Sequence, residues 1–255
     1  MTRLQTRPAT EVQVATRGEV SLAAPEYART KLLAVLERLD EPVLAVRVKL
    51  TQEPNHAVAK PSIAQATLDL NGRPVRAHVA ATTMQEALDL LQDRLNARIA
   101  RVRTHRHHRH HAERSATGRE HRPQRRVLGA EERRIERHKT YSLARQTTWA
   151  AVFELEAMDY DFHLYTDAAT GCDSVVHHDG ATGAYRIVSA GAVPEAEPGI
   201  AVSTQAVLEL TVADAVSRLD LSGLPFVFFT NSETGRGNVL YHRYDGHYGV
   251  ITPAQ

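Results

Sequence analysis

The sequence of 255 residues predicts an α+β protein whose two halves are built differently and are joined by a basic linker. In the first half, strand and helix patterns follow in the order β-α-β-β-β-α, which predicts two helices on one face of a four-stranded sheet. In the second half, residues 160–188 match residues 224–251 at an offset of 64, which predicts a tandem repeat of a small β-rich unit, β-α-β-β-β. The predicted domains are residues 1–103, a linker at 104–137, a first repeat at 138–190 and a second repeat at 200–255.

The sheet of the first half is predicted from four segments in which apolar and polar residues alternate. These segments are Glu11–Arg17, Val43–Thr51, Ile63–Leu70 and Arg73–Ala81. Asn71-Gly72 separates the last two segments, and this dipeptide favours a two-residue hairpin turn because both residues accept a positive φ. The third and fourth strands are therefore expected to form a hairpin.

Two helices of the first half are predicted from apolar residues at helical spacing. The first covers Ser21–Leu39, where Ser21 can cap the N-terminus and Pro25 is tolerated in the first turn. The second begins after Thr82-Thr83, and its apolar stripe consists of Met84, Leu88, Leu91, Leu95, Ile99 and Val102. Both helices are expected on the same face of the sheet, which leaves the other face open.

Each repeat of the second half is predicted to contain one strand, a helix and three further strands. In the second copy the last three strands are Pro225–Thr230, Val239–Tyr244 and His247–Ile251, and Asp245-Gly246 is a hairpin signal between two of them. The match extends upstream, since Thr147, Ala151, Val152 and Leu155 correspond to Thr211, Ala215, Val216 and Leu219. Because these positions have helical spacing, coincidence among turn residues does not explain the match.

The charges are segregated along the chain. Residues 1–103 contain 15 Lys and Arg against 11 Asp and Glu, residues 104–139 contain 11 against 5, and residues 140–255 contain 5 against 14. This segregation predicts a polyanion partner for the front half, with ordinary solvated surface as the alternative. The single cysteine, Cys172, and the lack of a signal-peptide pattern or a long apolar run predict a cytoplasmic protein without a membrane span.

The candidate RNA contacts are side chains on one helix stripe or on the open sheet face. Arg94, Arg98 and Arg101 share a stripe on the second helix, which suits phosphate binding because each arginine can neutralise one phosphate. The full set is Arg17, Tyr27, Lys31, Arg38, Arg47, Lys49, Arg76, His78, Arg94, Arg98, Arg101, Arg103, His105 and Arg106. No Ser-His-Asp, Cys-His or paired-carboxylate arrangement stands out, so neither an enzyme nor a cofactor is expected.

The linker is rich in histidine and arginine, and two interpretations are open. A metal site is suggested by His105, His107, His108, His110 and His111. Zinc sites, however, usually take ligands at defined spacing from separate elements and often include cysteine. A basic tether that follows phosphates is therefore preferred, and Val127–Lys139 is expected to form a short amphipathic helix.

Two stretches carry a resemblance to a known family. The C-terminal FVFFTNSETGRGNVLYHRYDGHYGVI resembles the C-terminal domain of long-form bacterial ribosome hibernation-promoting factors, and RPVRAHVAATTMQEALDLLQDRLNARIARVR resembles the end of their ribosome-binding domain. The resemblance implies a non-enzymatic factor that binds 16S rRNA and proteins of the small subunit in the mRNA and tRNA channel. By position, the family's basic helix residues correspond to Lys31, Arg38, Arg94, Arg98 and Arg101. The alternative is a general RNA-binding or transcription-modulating protein with a C-terminal protein-interaction module.

The second copy of the C-terminal repeat departs from this family pattern. Members normally carry one such domain, which pairs with its twin on another ribosome. Two copies in one chain can imitate that pair, because the short connection holds them at roughly millimolar effective concentration. The residues expected at this pairing interface are Phe162, Leu164, His177, Phe226, Phe228 and Tyr241. The expected state is a monomer that silences single ribosomes, with a homodimer as the alternative.

Overall fold

The computed structural model describes residues 11–55, 58–104, 121–179 and 184–254. These residues form two compact units. The first contains the described residues up to 104 together with the segments 121–123 and 157–159, and the second contains residues 124–156 and 160–254. Both units combine helices with β-sheet, so the predicted α+β class is confirmed. No helix in the described ranges is both long enough and apolar enough to span a membrane.

The first unit is a four-stranded sheet with two helices. Its strands are β1 (Val12–Arg17), β2 (Val43–Gln52), β3 (Ser62–Leu70) and β4 (Arg73–Ala81), and its helices are α1 (Ala24–Leu36) and α2 (Met84–Thr104). The strands lie in the order β1-β2-β3-β4, with β1 parallel to β2 and the other neighbours antiparallel. The order β-α-β-β-β-α is the one that the sequence predicts.

The core of the first unit follows from two periodicities. Alternate strand residues such as Val48, Ala66 and Ala77 are buried, and every third or fourth residue of α2, such as Leu88 and Leu95, is buried against them. The opposite face of β2 carries exposed Arg47 and Lys49. One sheet face is therefore covered by helices, and the other presents polar side chains.

Local turn and cap signals were predicted with mixed success. Asn71 and Gly72 have φ of 52° and 82°, as a two-residue hairpin turn requires. At the start of α2, Thr83 Oγ1 accepts a hydrogen bond from the Glu86 N–H at 3.2 Å, which satisfies one free amide of the first turn. The prediction for Ser21 is wrong: α1 begins three residues later, at Ala24, and its N-cap residue, Ala23, has no side-chain cap.

The second unit contains the two repeats, each with one helix and four strands. The first copy has β6 (Arg145–Gln146), α3 (Thr148–Ala157), β7 (Phe162–Asp167), β8 (Asp173–His178) and β9 (Tyr185–Ser189). The second copy has β11 (Glu209–Leu210), α4 (Val212–Ser222), β12 (Phe226–Asn231), β13 (Gly237–His242) and β14 (Tyr248–Pro253). Each copy has its own buried core at equivalent positions, for example Leu155 and Tyr165 in the first and Leu219 and Phe229 in the second.

The two copies exchange strands. The strand β5 (Ile135–Tyr141) precedes the first copy but pairs in parallel with β14 of the second copy. The strand β10 (Ile200–Val202) precedes the second copy but pairs in parallel with β9 of the first. Two five-stranded sheets result, in the orders β10-β9-β8-β7-β6 and β11-β12-β13-β14-β5.

The strand exchange overturns one prediction from the sequence. The amphipathic helix expected over Val127–Lys139 is absent from these described residues, where a short 3-10 turn at Ala130–Glu132 leads into β5 instead. Pairing with β14 satisfies the backbone groups along one side of β5, and this tertiary hydrogen bonding outweighs a weak local helix preference.

Candidate nucleic-acid interface and repeat-pairing interface

Three of the predicted RNA contacts lie together on the open sheet face of the first unit. On β2, Arg47 and Lys49 are two residues apart and therefore point to the same face of the sheet. Lys49 is opposite Ala15 of β1, and Arg17 of β1 is opposite Thr51, the next residue of β2 on this face. Arg17, Arg47 and Lys49 are all exposed. Because β1 and β2 are hydrogen-bonded neighbours, these charges form one patch, which we call the open-face patch.

Arg76 and His78 lie on the same sheet but are half-buried. The Arg76 guanidinium donates to Gln65 Oε1 at 3.0 Å. Burial and the neighbouring charge of Arg76 lower the pKa of His78 to about 3. Its imidazole is therefore neutral near pH 7 and adds no positive charge to this face.

The predicted stripe on α1 is joined to α2 by one carboxylate. Tyr27 Oη donates to Asp89 Oδ1 at 2.7 Å, and Lys31 Nζ lies 2.8 Å from the same oxygen. Hydrogen bonds from Lys31 and then Tyr27 lower the pKa of Asp89, so this carboxylate stays ionised. Lys31 stays charged, but its ion pair with Asp89 neutralises part of the positive potential that it would offer to a phosphate. Arg38 is exposed.

The arginines of α2 are not arranged as the sequence suggested. Arg94 and Arg98 were expected to flank the core at the surface, but their side chains are each only 10% exposed. Both guanidinium groups contact Asp159 Oδ1, at 2.8 Å and 2.7 Å, and Arg122 contacts the same oxygen at 3.1 Å. The backbone N–H of His78 donates to the other oxygen of Asp159 at 3.1 Å.

This arginine cluster is an anion site that already holds a carboxylate. Burial alone would raise the pKa of Asp159, but the charges of Arg98, Arg122 and Arg94 outweigh it and hold the pKa below its usual value. Three guanidinium groups therefore converge on one carboxylate oxygen. Asp159 is about 60 residues from the α2 arginines in the sequence, so no local pattern could have revealed the cluster.

The remaining predicted contacts lie at the end of α2 and beyond. Arg101 is half-buried, and Arg103 Nε donates to Glu41 Oε2 at 3.0 Å. His105 and Arg106 lie outside the described residues, as do His107, His108, His110 and His111. Within the described ranges, no three His, Cys, Asp or Glu side chains are grouped in a way that could hold a metal ion.

All six residues predicted for repeat pairing meet in the second unit. The buried centre of this interface combines Leu164 and Val175 of the first copy with Val239 and Ile251 of the second. Around it, the ring centroids of Phe162 and Phe226 lie 4.7 Å apart. The larger set that packs against the centre includes Phe162, Phe226, Phe228 and Tyr241, and His177 lies edge-on to Phe226 at 5.3 Å.

The pairing interface is close to two-fold symmetric, because it uses the same positions from both copies. Val175 and Val239 are equivalent at the offset of 64, as are Phe162 and Phe226. Its most polar contact is not symmetric: Arg236 donates to both carboxylate oxygens of Asp173, at 2.8 Å and 3.1 Å. From the sequence alone, Asp173 is visible only as a replacement for the equivalent Gly237, and nothing indicates that Arg236 binds it.

The fold defines a two-part protein: a basic α+β unit and a module of two tandem copies that pack against each other. The chain belongs to the S30EA ribosomal protein family. Residues 12–107 match the family described as "Sigma 54 modulation protein / S30EA ribosomal protein". Residues 130–187 and 199–250 each match "Sigma 54 modulation/S30EA ribosomal protein C terminus". This double match confirms the predicted duplication of the C-terminal domain.

Curated relatives match both parts of the chain. A "Dormancy associated translation inhibitor" of Mycobacterium tuberculosis (strain H37Rv) is 35% identical over 217 residues, which cover 81% of this chain and 76% of the relative. A "Ribosome hibernation promotion factor" of Bradyrhizobium diazoefficiens is 43% identical over 54 residues, which cover 21% of this chain and 27% of the relative.

Solved structures align with a smaller part of the chain. A ribosomal subunit interface protein from Coxiella burnetii is 22% identical, covers 36% of this chain and 97% of its own, and has a TM-score of 0.31. The N-terminal domain of Thermus thermophilus Protein Y is 21% identical, covers 36% of this chain and 98% of its own, and has a TM-score of 0.30.

Proposed function

We propose that this protein is a ribosome hibernation factor that binds the small (30S) subunit in the mRNA and tRNA channel. In this role it inhibits translation in the cytoplasm and stabilises idle ribosomes. One observation carries the proposal: the relative named as a dormancy-associated translation inhibitor is 35% identical over 217 residues. That similarity covers 81% of this chain, which is too long to lie within a single unit.

Charge supports rRNA as the partner of the first unit. Residues 1–139 carry ten more Lys and Arg than Asp and Glu, whereas residues 140–255 carry an excess of nine acidic residues. A polyanion attracts the first part and repels the second. The open-face patch, which consists of Arg17, Arg47 and Lys49, is exposed on the sheet face opposite the one that α1 and α2 cover.

The arginine cluster joins the interface by exchanging its anion. Arg94, Arg98 and Arg122 surround the carboxylate of Asp159, and a phosphate needs the same kind of donors. rRNA phosphate then replaces Asp159 when the ribosome binds. Because the cluster already holds the three side chains together, little of their conformational entropy remains to be lost when a phosphate binds.

The linker adds further phosphate contacts. Residues 104–137 contain ten arginines against five glutamates. We propose that its first part follows rRNA as a basic tether, with histidines that gain charge as the pH falls towards 6.

The second unit keeps the protein monomeric and the ribosomes single. Its two copies already bury the apolar surface around Leu164 and Val239 against each other. A pair that is closed within one chain leaves no such surface for a second chain. The protein therefore inactivates single 70S ribosomes and does not join them in pairs.

The alternative function is modulation of transcription. The matched family description includes sigma 54 modulation, and this wording favours a polymerase-associated partner for the acidic second unit. The two functions differ in what the first unit binds: ribosomes in one case, and another RNA or protein in the other.

Charge reversal on the open-face patch tests the proposed function. The R47E/K49E variant changes two exposed side chains, so the fold survives while binding to purified 30S subunits falls at least tenfold. Reversal of Arg94 and Arg98 is less informative, because it buries new carboxylates beside Asp159 and disrupts the unit. The matched control is R73E/R218E, which reverses two exposed basic residues outside the predicted set.

Salt gives the second readout of the same experiment. The affinity of the wild-type protein falls steeply as the salt concentration rises, because several phosphates are neutralised at once. The R47E/K49E variant shows a shallower dependence, and the control follows the wild type. Binding that ignores salt, or equal binding by both variants, contradicts an rRNA interface on this face.

A further inference from the structure

Asp173 and Gly237 occupy equivalent positions in the two copies and touch each other across the pairing interface. The Gly237 N–H donates to Asp173 Oδ2 at 2.9 Å. A Cβ added at Gly237 would lie 2.7 Å from the Cβ of Asp173, which is closer than side chains tolerate. When equivalent positions meet, they lie beside the two-fold axis that relates the copies. In a pair of identical copies, this position would therefore face itself.

Arg236 makes the contact at the axis a charged one. Its Nε and Nη2 donate to the two oxygens of Asp173, and its Nη1 donates to the Ala254 carbonyl at 3.1 Å. Thr166 Oγ1 also donates to Asp173, at 3.2 Å. The Asp173 side chain is only 7% exposed, so its charge depends on these donors in place of water. The residue equivalent to Arg236 in the first copy is Cys172, which cannot replace a guanidinium.

Pairs of like copies lack this contact. Two first copies would place Asp173 against Asp173, with two carboxylates at the axis, colliding Cβ atoms and no arginine. Two second copies would place Gly237 against Gly237 and leave both Arg236 side chains at the interface without their carboxylate. Only a pair of one first copy and one second copy brings the Asp173 carboxylate to the Arg236 guanidinium. Only this pair also leaves room for the Asp173 side chain, because Gly237 has none.

We propose that Asp173, Arg236 and Gly237 form a specificity lock that selects pairing between unlike copies and rejects pairing between like copies. The attractive element is the ion pair, and the repulsive element is the like charge or the collision that identical copies would create. The second copy is thus a surface shaped for one kind of partner: a repeat that carries an acidic residue at the axis.

This lock explains why duplication need not lead to open chains of molecules. Two self-complementary copies in one molecule could each bind a copy in another molecule and form a fibre. Unlike-only pairing closes within one chain, because the neighbouring copy is at high effective concentration. The inference deepens the proposed function and rests on its intrachain pairing, but it is independent of ribosome binding.

A double-mutant cycle on the full-length protein tests the lock. D173R and R236D each place like charges together, and the double variant D173R/R236D restores opposite charges with their positions exchanged. Urea unfolding is followed by the fluorescence of Trp149, the single tryptophan, which packs against the core of the first copy. Molar mass is measured in parallel by light scattering. R218D is the matched control, because Arg218 is exposed on α4.

The lock predicts a characteristic pattern across the four proteins. Each single variant lowers the urea midpoint and shifts part of the sample to a dimer mass, and the double variant recovers at least half of both losses. R218D behaves as the wild type. Additive losses in the double variant, single variants that match the wild type, or a wild-type dimer each overturn the proposal. Ribosome binding by the first unit is unaffected by any of these outcomes, so failure of the lock is distinguishable from failure of the proposed function.

Discussion

The substitution L164A tests whether the two copies stabilise each other. Leu164 belongs to the first copy, but its side chain is buried with Val239 and Ile251 of the second and is only 2% exposed. Replacing a buried leucine with alanine removes its transfer free energy and leaves a cavity, at a cost of about 2–5 kcal/mol. We expect a loss in this range, although Leu164 does not belong to the core cluster of its own copy.

Trp149 fluorescence during urea unfolding measures this loss at the first copy. The matched control is L221A, in which the same atoms are removed from a leucine that is 89% exposed. An exposed position of this kind changes the free energy of unfolding by about 0.5 kcal/mol or less. The experiment is repeated over a hundredfold range of protein concentration.

Concentration separates pairing within a chain from pairing between chains. For intrachain pairing, the urea midpoint of both the wild type and L164A is independent of protein concentration. A midpoint that rises with concentration would show that the copies pair between molecules. A loss for L164A no larger than that for L221A would refute the burial of Leu164 between the copies.

Three further predictions concern the charged groups. The D159N variant removes the charge that competes with phosphate but keeps the size of the side chain and an oxygen that can accept hydrogen bonds, so its affinity for 30S subunits at low salt rises severalfold; unchanged or weaker binding in a sedimentation assay contradicts the anion exchange. Replacing Arg106, Arg109, Arg114 and Arg119 with serine lowers that affinity and its salt dependence, and equal affinity would make the linker a passive spacer. Partial burial raises the pKa of Asp173, but contact with Arg236 and the Gly237 N–H outweighs this effect and holds the pKa below its unfolded value. The ionised Asp173 therefore stabilises the fold fully above about pH 4, and this stabilisation is lost as the pH falls through the folded pKa. The difference in urea midpoint between the wild type and D173N therefore shrinks below pH 4, and a constant difference would contradict the ion pair.

Features of the fold that depend on neighbouring residues were predictable from the sequence. The hairpin at Asn71-Gly72, the apolar stripe of α2 and the duplicated copy all leave periodic or dipeptide signals. The residues of the pairing interface also follow from the sequence, because equivalent apolar positions in two copies can meet across a two-fold axis. The structure places those residues together.

Features that depend on contacts between distant residues were not predictable. The strand β5 finds its partner β14 more than a hundred residues away, and no local pattern specifies such a partner. The spacing of the α2 arginines predicts a solvent-facing stripe, but contact with Asp159 buries Arg94 and Arg98. In both cases the residue types suit their role, but the opposing group that decides this role lies far away in the chain.

Sucrose-gradient sedimentation of purified ribosomes with the full-length protein tests ribosome binding and intrachain pairing in one experiment. Ribosomes are mixed with a small molar excess of protein at low salt, and each fraction is probed for the protein and for rRNA. We expect the wild-type protein to sediment with 30S subunits and with 70S ribosomes and to produce no ribosome-dimer peak, and we expect the R47E/K49E variant to be lost from both. Protein that remains at the top of the gradient would contradict ribosome binding, and a protein-dependent ribosome-dimer peak would contradict intrachain pairing.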